Sequence, residues 1–349
     1  MKAQVLYGIN DLRFENDYPE PVLKNDEVLV KVKACGICGS DIDRVLKNGT
    51  YRFPTIIGHE FSGVVAKVSS RQNEKWQGKR VSIFPLIPCG RCSSCKSGNF
   101  QLCEDYNYLG SRCNGGFSEY VAVPAWNLIE IPKNVSFEEA AMMEPVSVAL
   151  HSLKIAGNIL GRNVVILGAG TIASVLAQMV ISSGAAKVVV AARNEKKLDF
   201  ITNICNGVHT VNSDTKDFLE MIKDIFGGEA DVVIEGTGAS LMIEKAIAVT
   251  KRKGSIVLLG NPVDDVHISK KVFWQILRKE ITLKGTWNSS FGISGSSDWE
   301  DNFEFIKTNK LQLKKLISHR IALSELKDGI LKMKNKDEIT NKIMVVFDE

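Results

Sequence analysis

The chain carries almost no surplus charge. Its 44 basic and 40 acidic residues leave a formal net charge of +4, spread along the sequence. That is too mild and too even to argue for a nucleic-acid or membrane-surface binder, and it leaves a zinc-ribbon nucleic-acid-binding protein as a distant alternative. Its first residues, MKAQVLYGIN, lack the long apolar core and small-residue cleavage site of an export signal, so a reducing cytoplasm is the expected setting. Eight cysteines among 349 residues are too sparse for the disulfide framework of a small secreted domain. Internal repeats, low-complexity tracts and a long linker are also missing. One stretch, NVVILGAGTIASVLAQMVISSGAAKVVVAA at 163–192, is nearly uncharged and long enough to cross a bilayer. Glycines interrupt it at both ends, however. VVIL and VVVAA are β-branched runs of strand length, and TIASVLAQMVISSG between them is of helix length. Such a βαβ unit is apolar throughout because its parallel strands are covered on both faces. No membrane association is expected.

What is present is ordinary globular composition, 44% hydrophobic and 24% charged, in a length that suggests two domains. Residues 1 to about 145 hold short strand-like runs, EVLVKVKAC, FSGVVAKV and KRVSIF, broken by Gly, Pro and polar turns. Helical periodicity is confined to DIDRVLKNG. From about 148 to 286 strand-like VVILG, KVVVAA, DVVIEGTG and SIVLLG alternate with helix-length segments such as KKLDFITNICNG and MIEKAIAVTKRKG, the pattern of a parallel sheet covered by helices. From 287 the texture is mixed and finishes in a strand-like IMVVF. A cleft between two closely joined domains is the expected ligand site.

The turn after VVIL reads Gly168-Ala169-Gly170-Thr171-Ile172-Ala173, a G-x-G-x-x-A pattern that opens a helix. In that context it predicts a dinucleotide site. Gly168 permits the turn, Gly170 lets backbone approach a pyrophosphate, and the N-terminus of the helix through Thr171, Ile172 and Ala173 offers N–H groups to the anion. At the end of the next strand an Asp or Glu would favour NAD(H). This chain has VVVAARNEKK, with Arg193 in the decisive region and no acid at the strand end. Arg193 can pair with a 2′-phosphate, so NADP(H) is expected over NAD(H).

Two sets of potential metal ligands lie in the first part. Cys89, Cys92, Cys95 and Cys103, in CGRCSSCKSGNFQLC, follow C-x2-C-x2-C-x7-C. Four thiolates saturate a tetrahedral zinc and leave no open position, so this site is structural. The second set is scattered: Cys38 in CGICGSD, His59 and Glu60 in GHEFSG, and Glu144 in MMEPVS. Cys35 and Cys38 alone could be a redox pair or bind metal, and an isolated His59 is more often a core residue. A thiolate, an imidazole and a carboxylate together would hold a catalytic zinc with a free fourth position.

GHEFSG, CGSD, the four-cysteine stretch, GGFSEY at 115–120 and GAGTIA stand in one order along essentially the whole chain, and in that order they resemble the zinc-dependent medium-chain alcohol and polyol dehydrogenases. KNG, YLGSRCNGGFSEY, MMEPVSVALH and ILRKEITLKGTW are similar to the members of that family that act on polyol phosphates. Three positions depart from the family pattern: Ser69 where a Gly is usual, GKRV at 78–81 where GDRV is commoner, and Arg193 where an Asp is general.

The resemblance implies an α/β protein. Residues 1–147 and 287–349 would form a GroES-like mostly-β catalytic domain with its zinc lobe at 89–103, and 148–286 a Rossmann domain. It assigns Cys38, His59 and Glu144 as the catalytic zinc ligands and Glu60 as an acid that can approach or replace one of them. Asp41 would orient His59 and Ser40 would relay the hydroxyl proton, with Glu60 or water carrying it onward. Cys35, Cys113 and Cys205 are left structural. The implied reaction is hydride exchange between a secondary alcohol and a nicotinamide cofactor. The implied substrate is a polyol phosphate such as galactitol 1-phosphate, or an unphosphorylated polyol or vicinal diol, and the implied assembly is a homodimer or homotetramer. A phosphorylated substrate needs a cation, and Arg44, Lys47 and Arg52 lie between the presumed ligands.

Overall fold

A computed structural model of the chain describes residues 1–292, 297–308, 310–335 and 338–347. They form two compact units, Met1–Pro145 with Ser290–Phe303 and Leu313–Glu349, and Val146–Ser289 with Glu304–Gln312. The expected boundary put everything after 286 into the first unit; residues 293–296, 309, 336–337 and 348–349 of that range lie outside the described residues. Residues 146–147, 287–289 and Glu304–Gln312 instead belong with the second unit. There the backbone N–H of Gln312 donates to Oε1 of buried Gln178, at 2.7 Å.

A seven-stranded sheet supports the first unit. Its centre is Glu27–Gly36, paired antiparallel with Glu60–Val68. Val28, Val30, Val32 and Ala34 are buried on its core face, as period-two alternation in EVLVKVKAC requires. The strand Lys342–Val346 also pairs with it, placing Met344 opposite Gly36 and Val345 opposite Cys35. A segment near the C-terminus thus lies beside the CGICGSD loop.

The second unit is a six-stranded parallel sheet. Its order is Val208–Asn212, Lys187–Ala192, Asn163–Leu167, Ala230–Glu235, Thr250–Leu258, Thr282–Gly285. Strand order reverses between Asn163–Leu167 and Ala230–Glu235, the switch point where doubly wound sheets bind ligands. Thr171–Ser182 is the helix that follows the glycine turn, and its residues Ala173 to Val180 are all buried. Burial on every side explains why this stretch is apolar enough to resemble a membrane span. No described helix is long and apolar enough to cross a membrane. MIEKAIAVTKRKG reads as one helix, but the helix Ser240–Val249 stops before TKRKG, which begins the strand Thr250–Leu258. Thr250 is the stop: its backbone is extended, and its hydroxyl donates to the carbonyl of Ala246 at 2.6 Å.

Candidate metal centre and nucleotide turn

Cys38, His59 and Glu60 come together in the first unit, with one potential ligand atom from each within 4.8 Å of the others. Cys38 precedes the short helix Gly39–Asp43, and Glu60 opens the strand Glu60–Val68. Gly36, opposite Glu60 in the ladder, makes the room: a Cβ there would lie 2.3 Å from Glu60 Oε2. That same oxygen accepts from Lys342 Nζ at 2.5 Å, and Lys342 also donates to the carbonyl of Ile37 at 3.0 Å.

Glu144 stands outside this group of three. It lies in the first turn of the helix Met143–Ala156, and its Oε1 accepts from the Tyr108 hydroxyl at 3.1 Å. The Tyr108 ring lies 5.9 Å from the His59 imidazole. Burial raises the Glu144 carboxyl above its usual range; His59 opposes the shift and Glu60 adds to it. The acid is therefore near enough to feel both.

Asp41 is fully buried. Its Oδ2 accepts the backbone N–H of Cys38 at 3.0 Å, and its Oδ1 lies 3.6 Å from His59 Nδ1, beyond a direct hydrogen bond. Arg44 mediates: its Nη1 donates to Asp41 Oδ1 at 2.9 Å and Ser40 Oγ at 2.8 Å, and lies 3.4 Å from His59 Nδ1. Arg44 is thereby committed inside the site. Lys47 pairs with Asp43 at 3.2 Å on the surface, and Arg52 is exposed.

Cys89, Cys92, Cys95 and Cys103 also lie with their sulfurs within 4.8 Å of one another. Sγ of Cys89 is 4.0 Å from that of Cys95, and Sγ of Cys92 is 3.9 Å from that of Cys103. These are not disulfide distances. They match the separation of about 3.8 Å between sulfurs each ~2.3 Å from one tetrahedral zinc. Backbone N–H groups of Arg91 and Cys92 lower the Cys89 thiol to about 6, and those of Glu104 and Cys95 lower Cys92. Burial pushes Cys95 up to about 12.

Both groups fit a zinc ion chemically. In the Cys38 group, burial first, then the charges of Glu60 and Asp41, push the thiol up to about 12. A divalent cation among these donors reverses that balance, because it binds the thiolate directly. Cys35, Cys113 and Cys205 belong to neither group, and burial raises all three thiols.

In the second unit Gly168 follows the strand Asn163–Leu167 with φ +115°, a conformation that L side chains rarely adopt. Gly170 precedes the helix Thr171–Ser182 and gives it no side-chain cap. Nothing lies within 4 Å of a Cβ built on Gly170, so backbone and helix terminus are open to a phosphate. Ala173 is 7% exposed and packs inward. Arg193 is exposed just past the strand Lys187–Ala192. Next to it, Asn194 caps the helix Glu195–Ile204 through Lys197 N–H at 3.2 Å. The nearby acid, Glu195, is held by the Asn212 side chain.

Sequence reasoning missed Tyr108, Lys342 and the bracing role of Arg44. Tyr108 stands inside YLGSRCNGGFSEY and Arg44 inside DIDRVLKNG, both already singled out for other reasons. Lys342 carried no local signal, being 282 residues from Glu60.

Residues 24–133 match the family described as alcohol dehydrogenase GroES-like domain, and 171–308 that described as zinc-binding dehydrogenase. Galactitol 1-phosphate 5-dehydrogenase of Escherichia coli (strain K12) is 32% identical over 309 residues, 88% of each chain. The crystal structure of galactitol-1-phosphate dehydrogenase from Escherichia coli superposes with a TM-score of 0.91 at 29% identity, over 99% of this chain and 100% of that one. A protein assigned as a zinc-binding dehydrogenase from Sinorhizobium meliloti 1021, solved bound to NADP, gives 0.88 at 29% identity over 99% of each chain.

Proposed function

Because the chain belongs to the zinc-dependent medium-chain alcohol and polyol dehydrogenases, we propose that it oxidises a secondary hydroxyl of a phosphorylated sugar alcohol, such as galactitol 1-phosphate, with NADP(H) as preferred cofactor. The observation that carries the proposal is the convergence of half-buried Cys38 with buried His59 and Glu60, with Glu144 close by, in a relative of that activity. Cys38, His59 and either Glu60 or Glu144 would hold the catalytic zinc, and Cys89, Cys92, Cys95 and Cys103 the structural one. Gly168, Gly170, Thr171, Ile172 and Ala173 would receive the pyrophosphate, and Arg193 the 2′-phosphate.

Zinc supplies Lewis-acid polarisation of a hydroxyl, and the nicotinamide ring supplies the hydride acceptor. The protein's own groups manage position and protons. Ser40 Oγ, fixed by Arg44, accepts the hydroxyl proton and passes its own onward, with Glu60 as the next acceptor. Asp41 braces the Cys38 backbone, and Lys342 fixes the Glu60 carboxylate. The oligomer proposed is a homodimer or homotetramer. Supporting it, the sheet of the second unit ends in Thr282–Gly285, exposed throughout; Trp274, Leu277 and Leu283 nearby are also exposed, and an open apolar sheet edge invites a second copy.

The test is a steady-state screen of polyols and their phosphates, each with NAD and NADP. A higher kcat/KM for the phosphorylated hexitol supports the reading. Equal values for free and phosphorylated polyol move it to a sorbitol- or butanediol-type dehydrogenase.

A further inference from the structure

We propose that Arg112 is the residue that recognises the anionic group of the substrate, a phosphate monoester, and so decides between phosphorylated and free polyols. The inference rests on the phosphorylated-substrate reading above. It replaces Arg44 and Lys47, two of the cations between the ligands in sequence, whose charges are engaged by Asp41 and Asp43.

Arg112 is clamped. Its guanidinium carbon lies 4.3 Å from the centroid of the Tyr51 ring and 4.1 Å from that of Tyr106. Its Nη1 donates to the Tyr106 carbonyl at 2.9 Å. Two aromatic faces and one carbonyl fix the plane of the fork while leaving its other N–H donors unused, and among the described residues no carboxylate pairs with it. Such a group is pre-organised for bidentate binding of phosphate. Arg13 shows the contrast. It too lies over a tyrosine, 4.7 Å from the Tyr7 centroid, but its Nε and Nη2 each donate to the Asp11 carboxylate at 2.7 Å.

The clamp is coupled to the metal group through the same turn. The backbone N–H groups of Arg112 and Cys113 both donate to the carbonyl of Tyr108, at 2.9 and 3.1 Å. Tyr108 in turn holds Glu144 through its hydroxyl and faces His59, and the Tyr106 ring packs edge-on against it at 6.2 Å. Arg112 is half-buried, whereas Tyr51 is 73% exposed, so the clamp opens to solvent on one side. A polyol phosphate with its hydroxyl among the metal ligands would extend its phosphate along Tyr108 and Tyr106 towards this fork.

The experiment compares kcat/KM for galactitol 1-phosphate and galactitol in the zinc-loaded full chain, wild type and Arg112→Gln. Calorimetric titration with inorganic phosphate is the second readout. The expected result is a KM for the phosphorylated substrate raised roughly 10- to 100-fold with kcat within about twofold, since a remote contact serves ground and transition states alike. The preference for phosphorylated over free polyol collapses in parallel, and phosphate affinity is lost. Arg112→Lys, which keeps the charge but not the fork, falls between. Arg13→Gln leaves the preference unchanged. If Arg112→Gln fails to fold, Tyr51→Leu decides: its exposed side chain can go without loss of the melting transition, and the preference must still drop. A wild type that prefers the phosphorylated substrate while Arg112→Gln or Tyr51→Leu keeps the full preference overturns the assignment of Arg112 alone. A wild type with no preference for phosphate overturns the phosphorylated-substrate reading and this inference with it. A preference for a sugar carboxylate would overturn the phosphate identity of the ligand.

Discussion

Arg44 shows how a single side chain can organise a site without touching the chemistry directly. One guanidinium nitrogen bridges Ser40, Asp41 and the His59 imidazole, so the hydroxyl proposed as proton relay and the ring proposed as metal ligand share one brace. The proposed roles predict that Cys38→Ala abolishes turnover while the melting transition and circular dichroism persist; Glu144→Ala does the same where Glu144 is the third ligand, and leaves measurable turnover where Glu60 is. Lys342 has the opposite character. It is 3% exposed against Glu60 at 1%, and removing one partner of a buried pair leaves the other charge uncompensated. Lys342→Met should cost about 3–5 kcal/mol, read as a large fall in Tm. Arg193 is exposed and free to face a ligand, so Arg193→Asp should turn a preference for NADP(H) into one for NAD(H), by removing a phosphate partner and adding repulsion. Wild-type enzyme that clearly favours NAD(H) would leave Arg193 a surface charge.

Individual elements carry their own dependencies. The loop 89–103 contains only the four-residue helix Ser93–Lys96 and a turn at Phe100–Leu102, little regular structure of its own, so the metal proposed for its four cysteines would be its main support. Cys92→Ser should lower Tm and solubility far more than it lowers kcat, and elemental analysis should fall from about two zinc ions per chain to about one. In the parallel sheet, Asp231 joins two strands at their starts: its carboxylate accepts the Asn163 N–H at 2.8 Å and pairs with Lys251 and with Arg162. Burial raises this carboxyl, but the bonds from Lys251 and Asn163 outweigh it and hold it below its ordinary value. A depressed carboxyl stabilises the fold above its unfolded pKa, near ~3.9, and loses that contribution as pH falls through the folded value. Asp231→Asn should therefore lower Tm at pH 7 by an amount equivalent to about 1 kcal/mol, and the gap from wild type should close below roughly pH 4.

For the whole molecule, the exposed edge Thr282–Gly285 sets the expectation for assembly. Leu283, 40% exposed on that strand, should be central to pairing with a second copy, so Leu283→Lys should shift sedimentation from oligomer towards monomer. A wild type that sediments as a monomer at all concentrations would remove the edge as an interface.

Local order was legible in the residues themselves. KVVVAA at 187–192 is a strand in full, the GAGTIA turn sits between a strand and a helix as its glycines demand, and the C-x2-C-x2-C-x7-C spacing brings four sulfurs together. These features depend on contacts close along the chain, so period, turn chemistry and spacing are enough to determine them. Tertiary structure alone decided the rest. It set Glu60 rather than Glu144 beside Cys38 and His59, because a ladder register puts Glu60 opposite Gly36 while Glu144 turns to Tyr108. It brought Lys342 across 282 residues to that same carboxylate by pairing Lys342–Val346 with Glu27–Gly36. It freed Arg112 while engaging Arg44 and Lys47. Charge pairing and strand register act through space, and no local periodicity encodes which distant partner a side chain will meet.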